Sequence, residues 1–453
     1  MKIRKLQLKN IGVFDDETIE FQPCPVKDKA EIHIFTGQNG SGKSTLLMAL
    51  ASSFDSFQFT SIKKLSNDFQ KRFRSTKNDK AAFTVFFSLD ENSQQYSSFS
   101  ITENHNYQLA KTPSKRLPLL LRTYVHWKNL VLRDSTMDLI GLSFSVFAFS
   151  GYRHLSSERV EAIYEPREFN PLSQSLEFIK DYSQPNQLTI NQLITNNISK
   201  SAIERGRNKN KSEKFANVIK SIEQAISDIT GWKVEFDLET EPTNLITKVN
   251  GEELEFDILP DGLRSLISWI ADLLGRVDML KWQDDLPIFE KNLILLLDEI
   301  EVHLHPAWQR KVLPVVQKLF KNSQIFVSTH SPFVVNSIDN AWVYELKVEN
   351  GKAKVTEKSL TKTAYSYQTV LREVFDIDER FGEGTEKKGT QLQLDEFYKQ
   401  RDAILKKNGK SRISKKKFLE FAENLASQSA ELQSLVFLEL ARLSKEKGEP
   451  YEI

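Results

Sequence analysis

A glycine-rich stretch near the N-terminus has the residue types that a phosphate-binding loop requires. Glycines let successive backbone N–H groups turn toward one concavity, a lysine neutralises phosphate charge, and a hydroxyl can bind Mg²⁺. In this chain Lys43 would contact the β- and γ-phosphates, and Ser44 would bind the metal. The sequence therefore predicts a site for ATP and Mg²⁺. The residues predicted to surround the phosphates are Gly37, Asn39, Gly40, Ser41, Gly42, Lys43, Ser44 and Thr45.

Two adjacent carboxylates follow a continuous apolar run far downstream. Asn292–Leu297 has the character of a strand that is buried on both faces, and Asp298 and Glu299 come directly after it. P-loop ATPases need a carboxylate for the metal and a second group that orients the attacking water. We therefore predict that Asp298 binds Mg²⁺ and that Glu299 acts as the general base.

A histidine ends the next predicted strand. Gln324–Thr329 is largely apolar and leads directly into His330. An imidazole at this edge of a sheet can reach the γ-phosphate and respond to its loss. Because it follows the glycine-rich loop and the two acids along the chain, His330 is predicted to contact the γ-phosphate.

The elements that position these groups are those of a parallel α/β sheet. Glu31–Phe35 alternates as a strand before the glycine-rich loop, and Leu46–Leu50 begins a helix after it. Ala307–Phe320 is predicted to be the helix between the two later strands. Ligands of open α/β sheets bind at the carboxyl ends of the strands, where all three motifs fall.

In this order the motifs resemble the ABC-type ATPase heads of the SMC and RecF families. Met1–Phe14, followed by Ile19–Phe21, is similar to the opening β-hairpin of those heads, which packs over the nucleotide base. The resemblance implies an α/β ATPase head with two lobes, a short helical, coiled-coil-like insertion and a C-terminal helical tail. The predicted divisions are lobe I with the P-loop at 1–154, the insertion at 155–231, lobe II at 232–350, and a helical region for assembly or partner docking at 351–453.

The insertion is predicted to contain one amphipathic helix of about four turns, with apolar residues recurring from Phe215 to Ile229. The basic segment Arg205–Lys211 precedes this helix. It is either a solvated loop or a contact to DNA phosphates, and the sequence leaves both interpretations open.

Residues 257–266 stand where ABC ATPases carry their signature loop, which caps the γ-phosphate bound by the opposite head. Pro260 and Asp261 occupy the places of the usual serine and first glycine, and Gly262 is retained. The resemblance implies that Gly262 contacts the nucleotide of a second copy and that the chain forms a homo-oligomer through head dimers. Asp261 is predicted to be an N-cap of the helix that follows.

Motifs around Asp298 and His330, together with Asp257–Leu266, resemble the ATPase subunits of Septu-type antiphage systems. This resemblance implies an ATP-hydrolysing sensor that controls an associated HNH nuclease. The alternatives are an SMC/RecF-like DNA repair ATPase and an ATPase scaffold that holds a TOPRIM effector in another defence system. No intrinsic nuclease is expected, because the Asp376–Asp378 pair lacks the alternating strand and helix pattern of a TOPRIM domain.

Composition and apolar patterning indicate the cellular compartment of the protein. The 453 residues carry a formal net charge of +1, which argues neither for nor against binding to nucleic acid. The single Cys24 excludes an internal disulfide, and no signal peptide or apolar run long enough to span a bilayer is evident. The sequence therefore predicts a cytoplasmic protein without a membrane partner.

Overall fold

A computed structural model places the chain in two compact units, Met1–Val370 and Leu371–Ile453. The residues that the structure describes are 1–55, 69, 71–74, 81–90, 93–101, 107–110, 116–129, 140–151, 170–172, 175–176, 190–240, 243–364, 366–375, 389–406, 414–451 and 453. The Asp376–Asp378 pair and the start of the predicted insertion at 155–169 lie outside these residues.

Strands and helices are numbered separately along the chain. The strands are β1 (Lys2–Ile11), β2 (Phe14–Glu20), β3 (Glu31–Gly37), β4 (Ala82–Asp90), β5 (Ser93–Ile101), β6 (Tyr107–Ala110), β7 (Ser145–Phe149), β8 (Val234–Thr240), β9 (Thr243–Val249), β10 (Glu252–Glu255), β11 (Leu293–Leu297), β12 (Gln324–Ser328), β13 (Trp342–Glu349) and β14 (Lys352–Leu360). The α-helices are α1 (Lys43–Asp55), α2 (Arg116–Asn129), α3 (Ile190–Glu204), α4 (Lys209–Thr230), α5 (Asp261–Met279), α6 (Pro306–Leu319), α7 (Pro332–Val335), α8 (Tyr367–Phe375), α9 (Thr390–Lys406), α10 (Lys415–Ala426) and α11 (Ala430–Lys447).

The central sheet of the first unit has the order β14-β13-β3-β12-β11-β7. Its strands are parallel except for β14, which pairs antiparallel with β13. Every residue of β7, β11 and β12 is buried, as expected for strands covered on both faces. This sheet confirms the predicted α/β class and the predicted buried strands.

Strand register brings the carboxyl ends of three strands to one edge of this sheet. Leu297 of β11 lies beside Val327 of β12, and Ser328 of β12 lies beside Phe35 of β3. The residues that follow, including Asp298 and the loop after Gly37, therefore emerge side by side. The fold thus creates the edge at which open α/β sheets bind ligands.

The N-terminal hairpin belongs to a second, antiparallel sheet with the order β2-β1-β4-β5-β6. Gln324 of β12 connects the two sheets, because its side-chain amide accepts from Ile3 N at 2.6 Å and donates to Ile3 O at 2.8 Å. Arg4 adds an ion pair with Glu31 of β3 at 2.6 Å. The predicted opening hairpin is confirmed, and it is anchored to the strand that precedes the P-loop.

Helices α3 and α4 form a helical hairpin. Ser201 and Ser212 hydrogen-bond across it in both directions, at 3.1 and 2.7 Å. The amphipathic helix predicted near Phe215 is confirmed, but the length of about four turns was wrong. Helix α4 has 22 residues, because Asn208 caps its start and Gly231, with φ 76°, ends it.

The prediction that the chain is helical from residue 351 onward was wrong for the first part of that region. Strands β13 and β14 form a hairpin, so the chain stays in the central sheet to Leu360. Asn350 and Gly351 have φ values of 52° and 77°, the left-handed conformation that a two-residue hairpin turn requires. The first described helix after the hairpin begins at Tyr367.

The second unit contains α9, α10 and α11, which confirms helical structure in this region. These helices enclose a small core of their own, and Arg401 of α9 pairs with Glu439 of α11 at 2.6 Å. The fully or nearly fully buried core residues include Leu394, Phe397, Phe418, Leu425, Val436 and Leu440. None of the described helices in either unit combines the length and the apolar character that crossing a bilayer requires.

Candidate nucleotide site

The glycine-rich loop connects β3 to α1 with backbone angles that only glycine adopts easily. Gly37, Gly40 and Gly42 have φ values of 140°, 81° and 101°. A Cβ at Gly37 would lie 2.3 Å from Leu346 O, and one at Gly42 would lie 2.6 Å from the ring of Phe14. The loop is therefore held tightly between β13 and the N-terminal hairpin, and its shape depends on glycine at both positions.

Lys43 is buried in this loop. Its ammonium donates hydrogen bonds to Gly37 O at 2.8 Å and to Gln38 O at 3.0 Å. Burial lowers the pKa of Lys43 to about 8, while Asp298, Glu299 and Glu301 act in the opposite direction. A positive group is thus held at the centre of the loop, close to carboxylates that come from the other motifs.

The other predicted loop residues divide into exposed and buried groups. Asn39 and Gly40 are exposed, whereas Ser41 and Thr45 are buried. Ser41 Oγ has no hydrogen-bond partner among the described residues. Thr45 lies against Gly12 of the N-terminal turn, 3.2 Å from the position of a Cβ there. The loop thus presents its tip to solvent and its base to the hairpin.

Ser44 and Asp298 meet although 254 residues separate them in the sequence. Ser44 Oγ donates to Asp298 Oδ1 at 3.2 Å. Ser328 at the end of β12 also donates its hydroxyl to Asp298 Oδ1, and it accepts from Glu299 N at 2.9 Å. A hydroxyl and a carboxylate at this distance are the oxygen donors that Mg²⁺ prefers, so the residues fit the predicted metal.

Ser328 is a residue whose role sequence reasoning missed. It connects both acids of the second motif to the strand that carries the third. Its position at the end of β12, in register with Phe35, is what places it there. Only the strand pairing reveals this contact.

Glu299 has a strained backbone conformation. Its φ of 46° is in the left-handed region, which is uncommon for residues other than glycine and asparagine. Its carboxylate lies against Gly151, where a Cβ would come within 2.9 Å of Oε2. Backbone strain of this kind is concentrated at functional sites.

His330 lies two residues beyond β12, which ends at Ser328. Burial and then the positive charge of Lys43 lower the pKa of His330, with Asp298 acting against them. The backbone N–H of His330 donates to Glu301 Oε1 at 2.5 Å. The sequence analysis gave Glu301 no function in this site. The neutral imidazole thus shares one electrostatic environment with the P-loop lysine.

Gly262 lies in a different neighbourhood from the phosphate loop. The atoms nearest to a Cβ at Gly262 are His303 O at 2.6 Å and the ring of Trp308 at 3.0 Å. The predicted N-cap role of Asp261 was wrong, because Pro260 occupies that position and Asp261 lies in the first turn of α5. Its carboxylate instead accepts a hydrogen bond from Arg264, one turn further along the helix.

Two family models match the chain. The model described as "AAA domain, putative AbiEii toxin, Type IV TA system" matches residues 32–336, more than half of the chain. The model described as "P-loop containing region of AAA domain" matches residues 3–58. The two matches include the phosphate loop, and the longer one also includes both later motifs.

Three curated relatives come from bacteria. The Retron Ec83 probable ATPase of Escherichia coli is 34% identical over 143 residues, 32% of this chain and 26% of the relative. The Retron Vc95 probable ATPase of Vibrio cholerae serotype O1 biovar El Tor is 24% identical over 383 residues, 74% of this chain and 72% of the relative. The Septu protein PtuA of Bacillus thuringiensis is 26% identical over 143 residues, 30% of this chain and 36% of the relative.

The matches span about a quarter of the E. coli relative and about a third of the B. thuringiensis one. The resemblance to Septu-type ATPase subunits that the motifs predicted is confirmed. Among solved structures, the SMC head bound to the C-winged helix domain of ScpA covers 80% of this chain and 99% of its own, with 15% identity and a TM-score of 0.47. The SMC head domain from Thermotoga maritima has a TM-score of 0.40 at 15% identity.

Proposed function

Because the chain belongs to the family described as "AAA domain, putative AbiEii toxin, Type IV TA system", we propose that it binds ATP and hydrolyses it to ADP and phosphate with Mg²⁺. The observation that carries this proposal is the 3.2 Å contact between Ser44 of the P-loop and Asp298 after β11. Such a contact brings a metal ligand from each motif to the edge where the strands end.

The roles of the residues follow from their positions. Lys43 and the N–H groups of the loop neutralise the β- and γ-phosphates, and Ser44 and Asp298 hold Mg²⁺. When bound, Mg²⁺ offsets the negative charge that develops on the phosphate oxygens. Glu299 orients a water and accepts its proton, and Ser328 holds both acids in place through its hydroxyl.

His330 contacts the γ-phosphate and responds when it leaves. Burial beside Lys43 keeps its imidazole neutral, so that one ring nitrogen can donate to a phosphate oxygen. Its place two residues after β12, at the edge of the sheet where β3 also ends, supports this role.

Nucleotide binding is tested by comparing two buried lysines. Lys43→Ala should lower affinity for a fluorescent ATP analogue by about 100-fold or more, because a charge-assisted contact to phosphate is lost. Lys291→Ala is the control, since Lys291 is also buried but is paired with Asp284 outside the site. Equal affinity in the two variants would contradict the assignment of the loop.

Pairing of two heads is the second part of the proposal. Gly262 lies in the first turn of α5, whose N-terminal N–H groups can approach an anion on a second copy. With ATP bound and hydrolysis blocked by Glu299→Gln, the chain should sediment as a dimer or larger assembly. Sedimentation that is independent of nucleotide would show that Gly262 does not complete the site of a partner.

The biological role proposed for this ATPase is antiphage defence. Similarity to the Septu protein PtuA and to two retron probable ATPases supports it. By the resemblance, ATP occupancy would restrain an associated HNH nuclease, docked on the C-terminal helices that follow β14. Co-purification with the product of the neighbouring gene, followed by DNA cleavage with and without ATP, tests this. An adjacent TOPRIM gene would instead favour the scaffold alternative.

A DNA-maintenance ATPase is the second candidate, and one surface favours it. The tip of the α3–α4 hairpin carries the exposed cations Arg205, Arg207, Lys209 and Lys211. The charge of Lys209 is partly met by Glu213 at 3.9 Å. If this tip binds DNA phosphates, charge reversal at Arg205 and Arg207 should lower both the affinity for duplex DNA and its salt dependence. Unchanged binding would leave the tip as a solvated turn.

A further inference from the structure

The carboxylate of Glu301 reaches the backbone of His330 across the site. Its Oε1 accepts the His330 N–H at 2.5 Å, joining the loop after β11 to the end of β12. Burial raises the pKa of Glu301, although hydrogen bonds from His330, from its own backbone and from Thr329 act against this. Burying a carboxyl group costs free energy, so a structural or functional role for this contact has to offset that cost.

The backbone on either side of His330 is fixed by other bonds. Thr329 N donates to Phe35 O at 3.1 Å, which ties this end of β12 to β3. Ser331 Oγ donates to Gln309 Oε1 at 2.6 Å and caps α7 through Phe333 N at 3.1 Å. The backbone N–H of His330 itself is held by Glu301.

Gln309 also ties the Glu301 loop to helix α6. Its side-chain nitrogen donates to Leu304 O at 2.8 Å. The loop is further tightened by two turns, Val302 N to Glu299 O at 3.0 Å and Leu304 N to Glu301 O at 2.9 Å. Glu301 therefore contacts His330 from a loop that hydrogen bonds hold in place and that begins at Glu299, the proposed general base.

We propose that Glu301 is a positioning residue for His330: by accepting its backbone N–H, Glu301 fixes the imidazole where it can meet the γ-phosphate of ATP. The inference rests on the proposed ATPase function and deepens it. The same loop carries His303, whose carbonyl oxygen lies 2.6 Å from where a Cβ at Gly262 would be. A movement of His330 when the γ-phosphate leaves would therefore be transmitted through Glu301 and this loop to the start of α5.

Two substitutions separate positioning from charge. Glu301→Ala leaves the His330 N–H without its acceptor, so the backbone relaxes and the imidazole moves. A displacement of about 1 Å in a catalytic constellation lowers kcat by about 10- to 100-fold. Glu301→Gln keeps an oxygen that can accept the same N–H, and it should retain kcat within about threefold. Affinity for ATP should change by less than about threefold in both, since Lys43 and the loop supply most of the binding.

Glu223 provides a matched control. Its Oε1 accepts the backbone N–H of Phe236 at 2.7 Å, and burial raises its pKa as it does for Glu301. It lies on α4, outside the nucleotide site. Glu223→Ala should therefore affect stability as Glu301→Ala does and leave kcat unchanged.

The decisive experiment is a double-mutant cycle with phosphate release as the readout. If Glu301 acts through His330, Glu301→Ala should lower kcat by less than about threefold in a His330→Ala background, because the group it positions is gone. An equal loss in both backgrounds, or a kcat for Glu301→Ala equal to that of Glu223→Ala, would overturn the proposal. Absence of hydrolysis in the unmodified protein and in Glu223→Ala would instead contradict the proposed function.

A second readout needs no hydrolysis. The chain has 7 histidines, so the imidazole signals can be assigned by NMR through comparison with His330→Ala. Glu301→Ala should shift the His330 signal, because the imidazole moves, whereas Glu301→Gln and Glu223→Ala should not. An unshifted signal in Glu301→Ala would refute positioning whether or not ATP is hydrolysed.

Discussion

Two glycines of the phosphate loop allow a matched test of how closely the N-terminal turn packs against it. Gly40 and Gly42 both have positive φ, 81° and 101°. Alanine at either position therefore strains the backbone by about 1–2 kcal/mol. The space around them differs: a Cβ at Gly42 would lie 2.6 Å from two ring carbons of Phe14, whereas one at Gly40 would meet no atom of the described residues within 4 Å.

The size of the effect follows from this difference. Phe14 is fully buried, so its ring cannot move aside without disturbing the core. Overpacking of this kind adds about 1–3 kcal/mol. Gly42→Ala should therefore lower the free energy of unfolding by about 2–5 kcal/mol, against about 1–2 kcal/mol for Gly40→Ala. If the loop shifts to relieve the contact, the added cost corresponds to about 5- to 150-fold weaker ATP binding.

Urea denaturation and titration with a fluorescent ATP analogue measure the two quantities. Gly40→Ala is the control, because it shares the unfavourable φ and lacks the steric contact. A Gly42→Ala protein that matches Gly40→Ala in both stability and affinity would refute the reasoning, since the hairpin would then not limit the loop.

Two further predictions concern the sheet edge and its core. Ser328→Ala removes the hydroxyl that bonds to both Asp298 and Glu299. We expect this variant to raise the Mg²⁺ concentration for half-maximal hydrolysis by about threefold or more. An unchanged Mg²⁺ dependence would show that Ser328 does not position the metal ligand. His33 is fully buried, and burial lowers its pKa to about 3. The unfolded chain binds a proton below pH ~6.5 that the folded chain does not, so stability is lost as pH falls from there toward 3. Between pH 6.5 and 4.5, urea denaturation should show the unmodified protein losing about 2 kcal/mol more than His33→Gln; parallel losses would exclude this histidine as the cause.

The sequence was sufficient to predict the sheet edge because each motif carries its own local signal. The glycines before Lys43, the apolar run before Asp298 and the strand before His330 all mark the end of a buried strand. Parallel strands bring their carboxyl ends together whatever the loops between them do. The placement of these three motifs therefore follows from short patterns and one general rule.

The contacts between motifs could not be predicted in the same way. Ser328 touches Asp298 because β11 and β12 pair in one particular register, and register is set by the whole sheet. The bond from Glu301 to His330 likewise depends on how a loop turns after a residue with positive φ. Such contacts join residues about 30 positions apart and leave no pattern within a single segment.

One error had a signal in the sequence. Asn350-Gly351 lies between alternating segments, and this dipeptide favours a two-residue hairpin turn. Interpreting it as the start of a helical tail missed β14. Asp261 was a different kind of error: aspartate suits an N-cap, but Pro260 has the fixed φ that placed the cap one residue earlier.

The central claim is that this chain hydrolyses ATP with Glu299 as the base. The most direct test measures steady-state phosphate release from ATP and Mg²⁺ by the unmodified protein and by Glu299→Gln, with ATP binding measured in parallel. We expect both proteins to bind ATP alike and the variant to release phosphate more slowly by about 100-fold or more, as loss of a general base requires. Equal rates in the two proteins, or no retained nucleotide in either, would contradict the account.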